Sequence, residues 1–180
     1  MSFLKRFLGI EAGAGAPATV PETETVRKIT AALDRLDPGR ARYIAAFAYI
    51  LSRVANADLG ISPAETAAME RVVVEHGGIP EEQAIVVVQM AKTQNLLFGG
   101  TENFLVTREF GRIADRSQKL ALVDCLFAVS AADASIVSAE DTVVRKIASE
   151  IGLSHDEFVN VKSRYREHLA ALKKLREPSA

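Results

Sequence analysis

Leu51-Ser-Arg-Val-Ala-Asn-Ala-Asp-Leu-Gly-Ile-Ser-Pro-Ala-Glu65 recurs without a gap as Leu126-Phe-Ala-Val-Ser-Ala-Ala-Asp-Ala-Ser-Ile-Val-Ser-Ala-Glu140. The offset is 75 residues, and the pairing runs on through Glu75/Glu150, Gly77/Gly152 and Glu82/Glu157. Ten identities fall in the 32 positions of 51–82 against 126–157, and apolar positions are kept as well. Two copies at one spacing describe a duplicated unit rather than an array.

The surroundings of each copy read as helices. Pro38 opens one that runs to about Ala57, with Tyr43, Phe47, Ile50, Leu51 and Val54 on its apolar face. Ser62-Pro63-Ala64-Glu65 forms a capping box: Ser62 is the N-cap, Pro63 the first helical residue and Glu65 sits at N3. That helix closes near Gly77-Gly78, because glycine takes the left-handed closing conformation at little cost. A third starts at Pro80 and passes Val86, Val87, Val88 and Met90 to about Asn95. The second copy predicts the same plan. A helix from about Ser117 to Ala132 precedes one from Ala139 to Ile151, capped by Ser138 with Asp141 at N3 and closed by Gly152. Ser154-His155-Asp156-Glu157 then opens a long last helix carrying Phe158, Val161, Tyr165, Leu169 and Leu172. Residues 23–36 and about 102–114 add a helix before each copy. No segment alternates as strands do between hairpin turns, and capped helical periodicity outweighs the β-prone valine runs. The expectation is an all-α, pseudo-duplicated bundle of about seven to eight helices. It occupies residues 23–176 as one domain, with similar units at about 38–97 and 117–172.

Length and composition set the bounds. A chain of 180 residues has room for a sizeable core. Its 48% hydrophobic and 25% charged residues exclude wholly disordered, collagen-like and multi-spanning membrane classes. With a formal charge of -1, no nucleic-acid partner is expected. Cys125 is the sole cysteine and sits among Leu122, Leu126 and Phe127, so it reads as a small buried hydrophobe rather than a reactive thiol. His76, His155 and His168 are scattered without a His-x-x-x-His pair, which argues against zinc.

The first 22 residues read as a short amphipathic segment and a flexible linker. Phe3, Leu4, Phe7 and Leu8 share one helical face, with Lys5 and Arg6 off it. Those cations and Glu11 break the apolar run that a secretory signal needs, so a cytoplasmic protein is expected. The same pattern suits weak, reversible contact with the inner face of a membrane through Phe3, Leu4, Lys5, Arg6, Phe7 and Leu8, or else two turns that fold back onto the bundle or fray. The Gly/Ala/Pro-rich residues 12–21 would then be the tether.

The duplicated Ala-Asp-x-x-Ile-x-x-x-Glu turn, inside an all-helical chain of this length, resembles the TerB family. Its copies are Ala57-Asp58-Leu59-Gly60-Ile61-Ser62-Pro63-Ala64-Glu65 and Ala132-Asp133-Ala134-Ser135-Ile136-Val137-Ser138-Ala139-Glu140, and the likeness covers about residues 38–172. The resemblance implies a cytoplasmic or inner-membrane-associated helical protein linked to tellurite resistance and general stress responses. It implies no reaction. Relatives commonly carry glycine directly after the aspartate, where this chain has Leu59 and Ala134. Some J-proteins carry a related domain, but this chain has no His-Pro-Asp motif, so co-chaperone activity is not carried over.

Residues able to carry chemistry are few. With Glu65 as position 12 of a calcium loop, position 1 is Val54 and position 6 is Leu59; the second copy has Val129 and Ala134 there. A true EF-hand needs oxygen ligands at position 1 and glycine at position 6, so that reading fails in both copies. Two readings of the acidic turns remain. Asp58, Glu65, Asp133 and Glu140 either converge across a pseudo-twofold axis to hold Ca²⁺ or Mg²⁺, or each serves its own turn and helix N-terminus. Lys162, Arg164, Arg166, Lys173, Lys174 and Arg176, with Glu157, Glu167 and Glu177 among them, read as a solvated, partly paired face. An acidic partner or anionic lipid is the other use for it. Leu96-Leu97-Phe98-Gly99-Gly100 reads as an apolar segment ending in a glycine loop. No phosphate-binding loop or catalytic signature occurs. The expected function is therefore a non-enzymatic interaction or adaptor protein with an unidentified protein partner, and its rival is a divalent-cation sensor.

Overall fold

The computed structural model describes residues 24–55, 63–97, 103–132, 136 and 138–169. Eight α-helices form among them: α1 (Glu24–Asp34), α2 (Pro38–Ser52), α3 (Pro63–Glu75), α4 (Glu81–Leu97), α5 (Asn103–Ile113), α6 (Arg116–Ala131), α7 (Ser138–Glu150) and α8 (His155–Ser163). A single 3₁₀ turn, Arg166–His168, follows. The fold is all-α.

α2 is the central post. Asp37 accepts the Arg40 amide at 2.9 Å and caps it, and Pro38 needs no partner for a missing N–H. Every residue from Tyr43 to Ser52 is buried, the condition of a helix that has neighbours all round. Ala41, Ala45, Ala46 and Ala48 keep its surface low, so α1, α4 and α5 all reach it. Tyr43, Phe47 and Phe110 interlock there, with ring centres 5.4–6.3 Å apart. In the second half α6 packs on α7 and α8, and Phe127 meets Phe158 and Tyr165 at 5.7 and 5.5 Å. The halves join through α3 on α6 and through α5, which packs on α2 as well as on α7. Gly111 makes the latter approach possible, since a Cβ there would sit 3.0 Å from the Cα of Ile151.

Three boundaries and one register differ from the sequence expectation. α2 ends at Ser52, not near Ala57, and passes into a tight turn in which the Arg53 and Val54 amides reach back three residues. Ser138 is the first residue of α7 rather than its cap, and its carbonyl accepts the Thr142 hydroxyl at 2.8 Å. The long last helix is the larger correction. α8 stops at Ser163, and the chain turns so that the Ile136 amide donates to the His168 carbonyl at 2.7 Å, with Leu169 beside Ile136. No proline or glycine forces that stop; contacts made by Tyr165 and Leu169 outweigh two more turns of helix.

The fourth correction concerns register. The bounds of α3 and α7, Pro63–Glu75 and Ser138–Glu150, repeat at a spacing of 75. From the glycine turn onward the spacing is 74: Gly78 and Gly152 hold the positive φ of +61° and +83°. At that spacing buried Ile79, Ala84, Val87 and Ala91 match Leu153, Phe158, Val161 and Tyr165, and exposed Ile85 matches exposed Val159. The first half carries one residue more at the turn. The sequence pairing of Gly77 with Gly152 is thus an identity of letters and not of backbone role.

Candidate functional site

Of the four motif carboxylates, Asp58 and Asp133 lie outside the described residues. Glu65 is exposed in the first turn of α3, and Glu140 is half-buried in the first turn of α7. A carboxylate at either place is favoured by its own helix dipole. Among the described residues no group of three or more His, Cys, Asp or Glu side chains is placed to hold a metal ion. Residues 1–10, the expected membrane contact, also lie outside the described residues, as do Ser62 and Phe98–Gly100. Cys125 is fully buried, and desolvation pushes its thiol well above the ordinary range, aided by the Asp124 charge. The neutral thiol it enforces is a poor nucleophile.

Sequence reasoning missed two polar clusters that tie the halves together. In one, His76 Nδ1 stands 2.8 Å from Asp124 Oδ2. The Tyr165 hydroxyl lies 3.0 Å from both Asp124 Oδ1 and its backbone carbonyl, so its single proton serves one or the other. Arg164 completes the ring around the carboxylate at 3.3 Å. His76 follows α3, Asp124 is on α6 and Tyr165 follows α8, so the cluster clamps three elements. Its one sequence signal was Asp124 itself, a charge inside the apolar run Leu120–Phe127 that must find partners when half-buried. In the other cluster Arg53 donates to Thr107 at 2.7 Å and to Glu150 at 3.0 Å, with the two charged side chains only 11% and 9% exposed. Separations of 54 and 97 residues left no motif to read.

Of the cations expected on the last helix, Lys162 and Arg164 are paired. Lys162 pairs with Asp141 at 2.7 Å and lies over the Phe158 ring, while Arg116 reaches Glu157 at 2.8 Å. Arg166 is in the 3₁₀ turn, and Lys173, Lys174 and Arg176 lie outside the described residues.

Two open grooves stand at equivalent places in the halves. Between α3 and α4 a groove of about 390 Å³ is lined by Ala67, Glu70, Arg71, Val74, Glu75 and Glu81. Between α7 and α8 one of about 510 Å³ includes Thr142, Arg145, Lys146, Ser149, Glu150 and His155, over Leu153 and Phe158. At the spacings given above these six positions correspond one to one. Glu70 becomes Arg145 and Glu81 becomes His155, so the first groove is acidic and the second basic. Ala67 and Val74 become Thr142 and Ser149, and Ala148, Leu153 and Phe158 supply the apolar lining of the second.

The family described as Tellurite resistance protein TerB matches residues 43–163. No curated protein and no solved structure matches the chain.

Proposed function

Because that match spans most of its length, the chain belongs to the TerB family, and from this premise we propose that it is a non-enzymatic docking protein in a tellurite-resistance or general stress response. The observation that carries the proposal is the α7–α8 groove. Arg145 and Lys146 stand on its rim with side chains 57% and 72% exposed, and the Arg145 guanidinium lies 5.5 Å from the centre of the Phe158 ring. A floor of Leu153 and Phe158 under a cationic rim suits an acidic, partly apolar segment of a protein partner. Such a segment would gain both apolar burial and charge pairing there.

Cells lacking the chain and complemented with Arg145→Glu/Lys146→Glu should fail to regain growth on tellurite, although the purified variant melts within about 2 °C of the parent. Full complementation by that variant would remove the groove from the function. Among the described residues no helix is long and apolar enough to cross a membrane. The proposal accordingly assigns any attachment at the inner membrane face to residues 1–10. Co-sedimentation with anionic vesicles should weaken at high salt and be lost in Lys5→Glu/Arg6→Glu, because the contact is partly electrostatic.

A further inference from the structure

The acidic α3–α4 groove has a different chemistry: among the described residues three carboxylates, Glu70, Glu75 and Glu81, line it against one cation, Arg71. Among the described residues Glu70, Glu75 and Glu81 have no ion-pair partner, whereas Arg145 and Lys146 of the equivalent groove pair with Asp141 and Glu150. Its apolar lining is Ala67 and Val74. Ile85, 44% exposed, stands four residues beyond Glu81 on the same face of α4 and extends the apolar strip. A groove with Val74 and Ala67 beside three carboxylates and a single arginine suits an occupant that is itself apolar and cationic.

The chain carries such a segment. Phe3, Leu4, Phe7 and Leu8 alternate at helical spacing with Lys5 and Arg6 beside them. Ten residues of helix are about 15 Å long, within the roughly 20 Å of α3. The 13 residues from Glu11 to Thr23 link that segment to α1 and reach roughly 43 Å when extended. α1 itself packs on α4, one wall of the groove. We propose that residues 1–10 fold back into the α3–α4 groove of their own chain in the absence of membrane, placing Phe3, Leu4, Phe7 and Leu8 on Ala67, Val74 and Ile85 and Lys5 and Arg6 among Glu70, Glu75 and Glu81. The same six residues then cannot hold a membrane and the groove together, so lipid and groove compete for them. This goes beyond the docking function, since fold-back needs neither lipid nor partner.

The test uses the full chain without lipid. Ser2→Cys gives an accessible thiol for a nitroxide, because Cys125 is fully buried. The label should broaden the amide resonances of Ala67, Val74 and Ile85 several-fold more than those of the α7–α8 groove. Lys5→Glu/Arg6→Glu should abolish the difference, and so should Glu70→Lys/Glu81→Lys. Combining the two pairs, which swaps the charges, should restore it. Equal broadening in all four proteins, no broadening of the α3–α4 groove, or preferential broadening of the α7–α8 groove would overturn the proposal. Broadening transferred to unlabelled chains in a mixture, and lost on dilution, would overturn it too by assigning the groove to a second copy. Vesicle binding of the same Glu70→Lys/Glu81→Lys protein should rise at least threefold above the parent. If neither parent nor variant bound vesicles, membrane attachment would fail while the lipid-free broadening still decided fold-back.

Discussion

At Tyr165 burial, followed by the neighbouring Asp124 charge and hydrogen bond, pushes the phenol far above its ordinary range, so it stays a donor at every physiological pH. Tyr165→Phe keeps the ring against Phe127 but takes a donor from Asp124. The expected cost is about 1–3 kcal/mol, read as a lower urea midpoint at unchanged m. Tyr43 behaves alike: burial, partly opposed by Arg40, raises its pKa from 10.0 to about 12. A folded state that binds the phenolic proton more tightly keeps this contribution below pH 10 and loses it towards pH 12. Stability should therefore fall over that alkaline window, with phenolate absorbance appearing together with unfolding, and Tyr43→Phe should flatten the fall. The acidic turns allow a prediction with a definite sign. Glu65 and Glu140 each occupy a first turn that favours a carboxylate without a cation. Millimolar Ca²⁺ or Mg²⁺ should then leave the melting temperature unchanged. A shared site would instead add about 2.7 kcal/mol at a hundred times its dissociation constant, and Asp58→Asn with Asp133→Asn would abolish that gain.

Among the elements, α8 shows how a local signal and a tertiary one divide a helix between them. Ser154 and Glu157 exchange hydrogen bonds at its start, and those bonds hold the Glu157 carboxyl below the usual range. Ser154→Ala should cost about 1 kcal/mol. The stop at Ser163 has no such local cause, and there the Tyr165 and Leu169 contacts decide. The glycine turn between α3 and α4 makes a similar point. A Cβ on Gly77 would lie 2.5 Å from the Val73 carbonyl oxygen and 2.9 Å from Phe47, whereas Gly78 has open space but φ +61°. Gly77→Ala should lose about 1–3 kcal/mol through overpacking, and Gly152→Ala about 1–2 kcal/mol through backbone strain alone. Thermal melts of the two variants would separate these causes, because only the first should disturb the Phe47–Phe110 environment.

Over the whole molecule, Arg53 and Glu150 join the end of α2 to the end of α7 across the halves. Removing one partner leaves a charge in a site that excludes most water, so Glu150→Gln or Arg53→Met alone should cost about 3 kcal/mol or more. Replacing both should cost clearly less than the two single losses added together, and a double-mutant cycle would measure the coupling. Independent, additive losses would assign Arg53 to Thr107 instead. The halves also share the His76–Asp124–Tyr165 clamp, so weakening either tie should loosen the contact of α3 with α6, visible as faster amide exchange there.

The sequence by itself determined the helices, because each property that defines them is local. Periodic apolar residues, Asp or Ser caps, proline at a first turn and glycine at a close all act within a few residues. The all-α class, the buried Cys125, the Ser154 box and the family likeness followed from such short patterns. What only the tertiary structure decided are features held by partners far apart in the chain. The clamp on Asp124 and the pairing of Arg53 with Glu150 arise when helices pack, and the stop of α8 depends on where Tyr165 lands. The register slip at Gly77 was hidden because an ungapped alignment matches letters, whereas burial follows the backbone. The grooves were hidden for the same reason. Glu70, Glu75 and Glu81 look like an ordinary charged surface until α3 and α4 pack side by side and place them, with Arg71, around one groove.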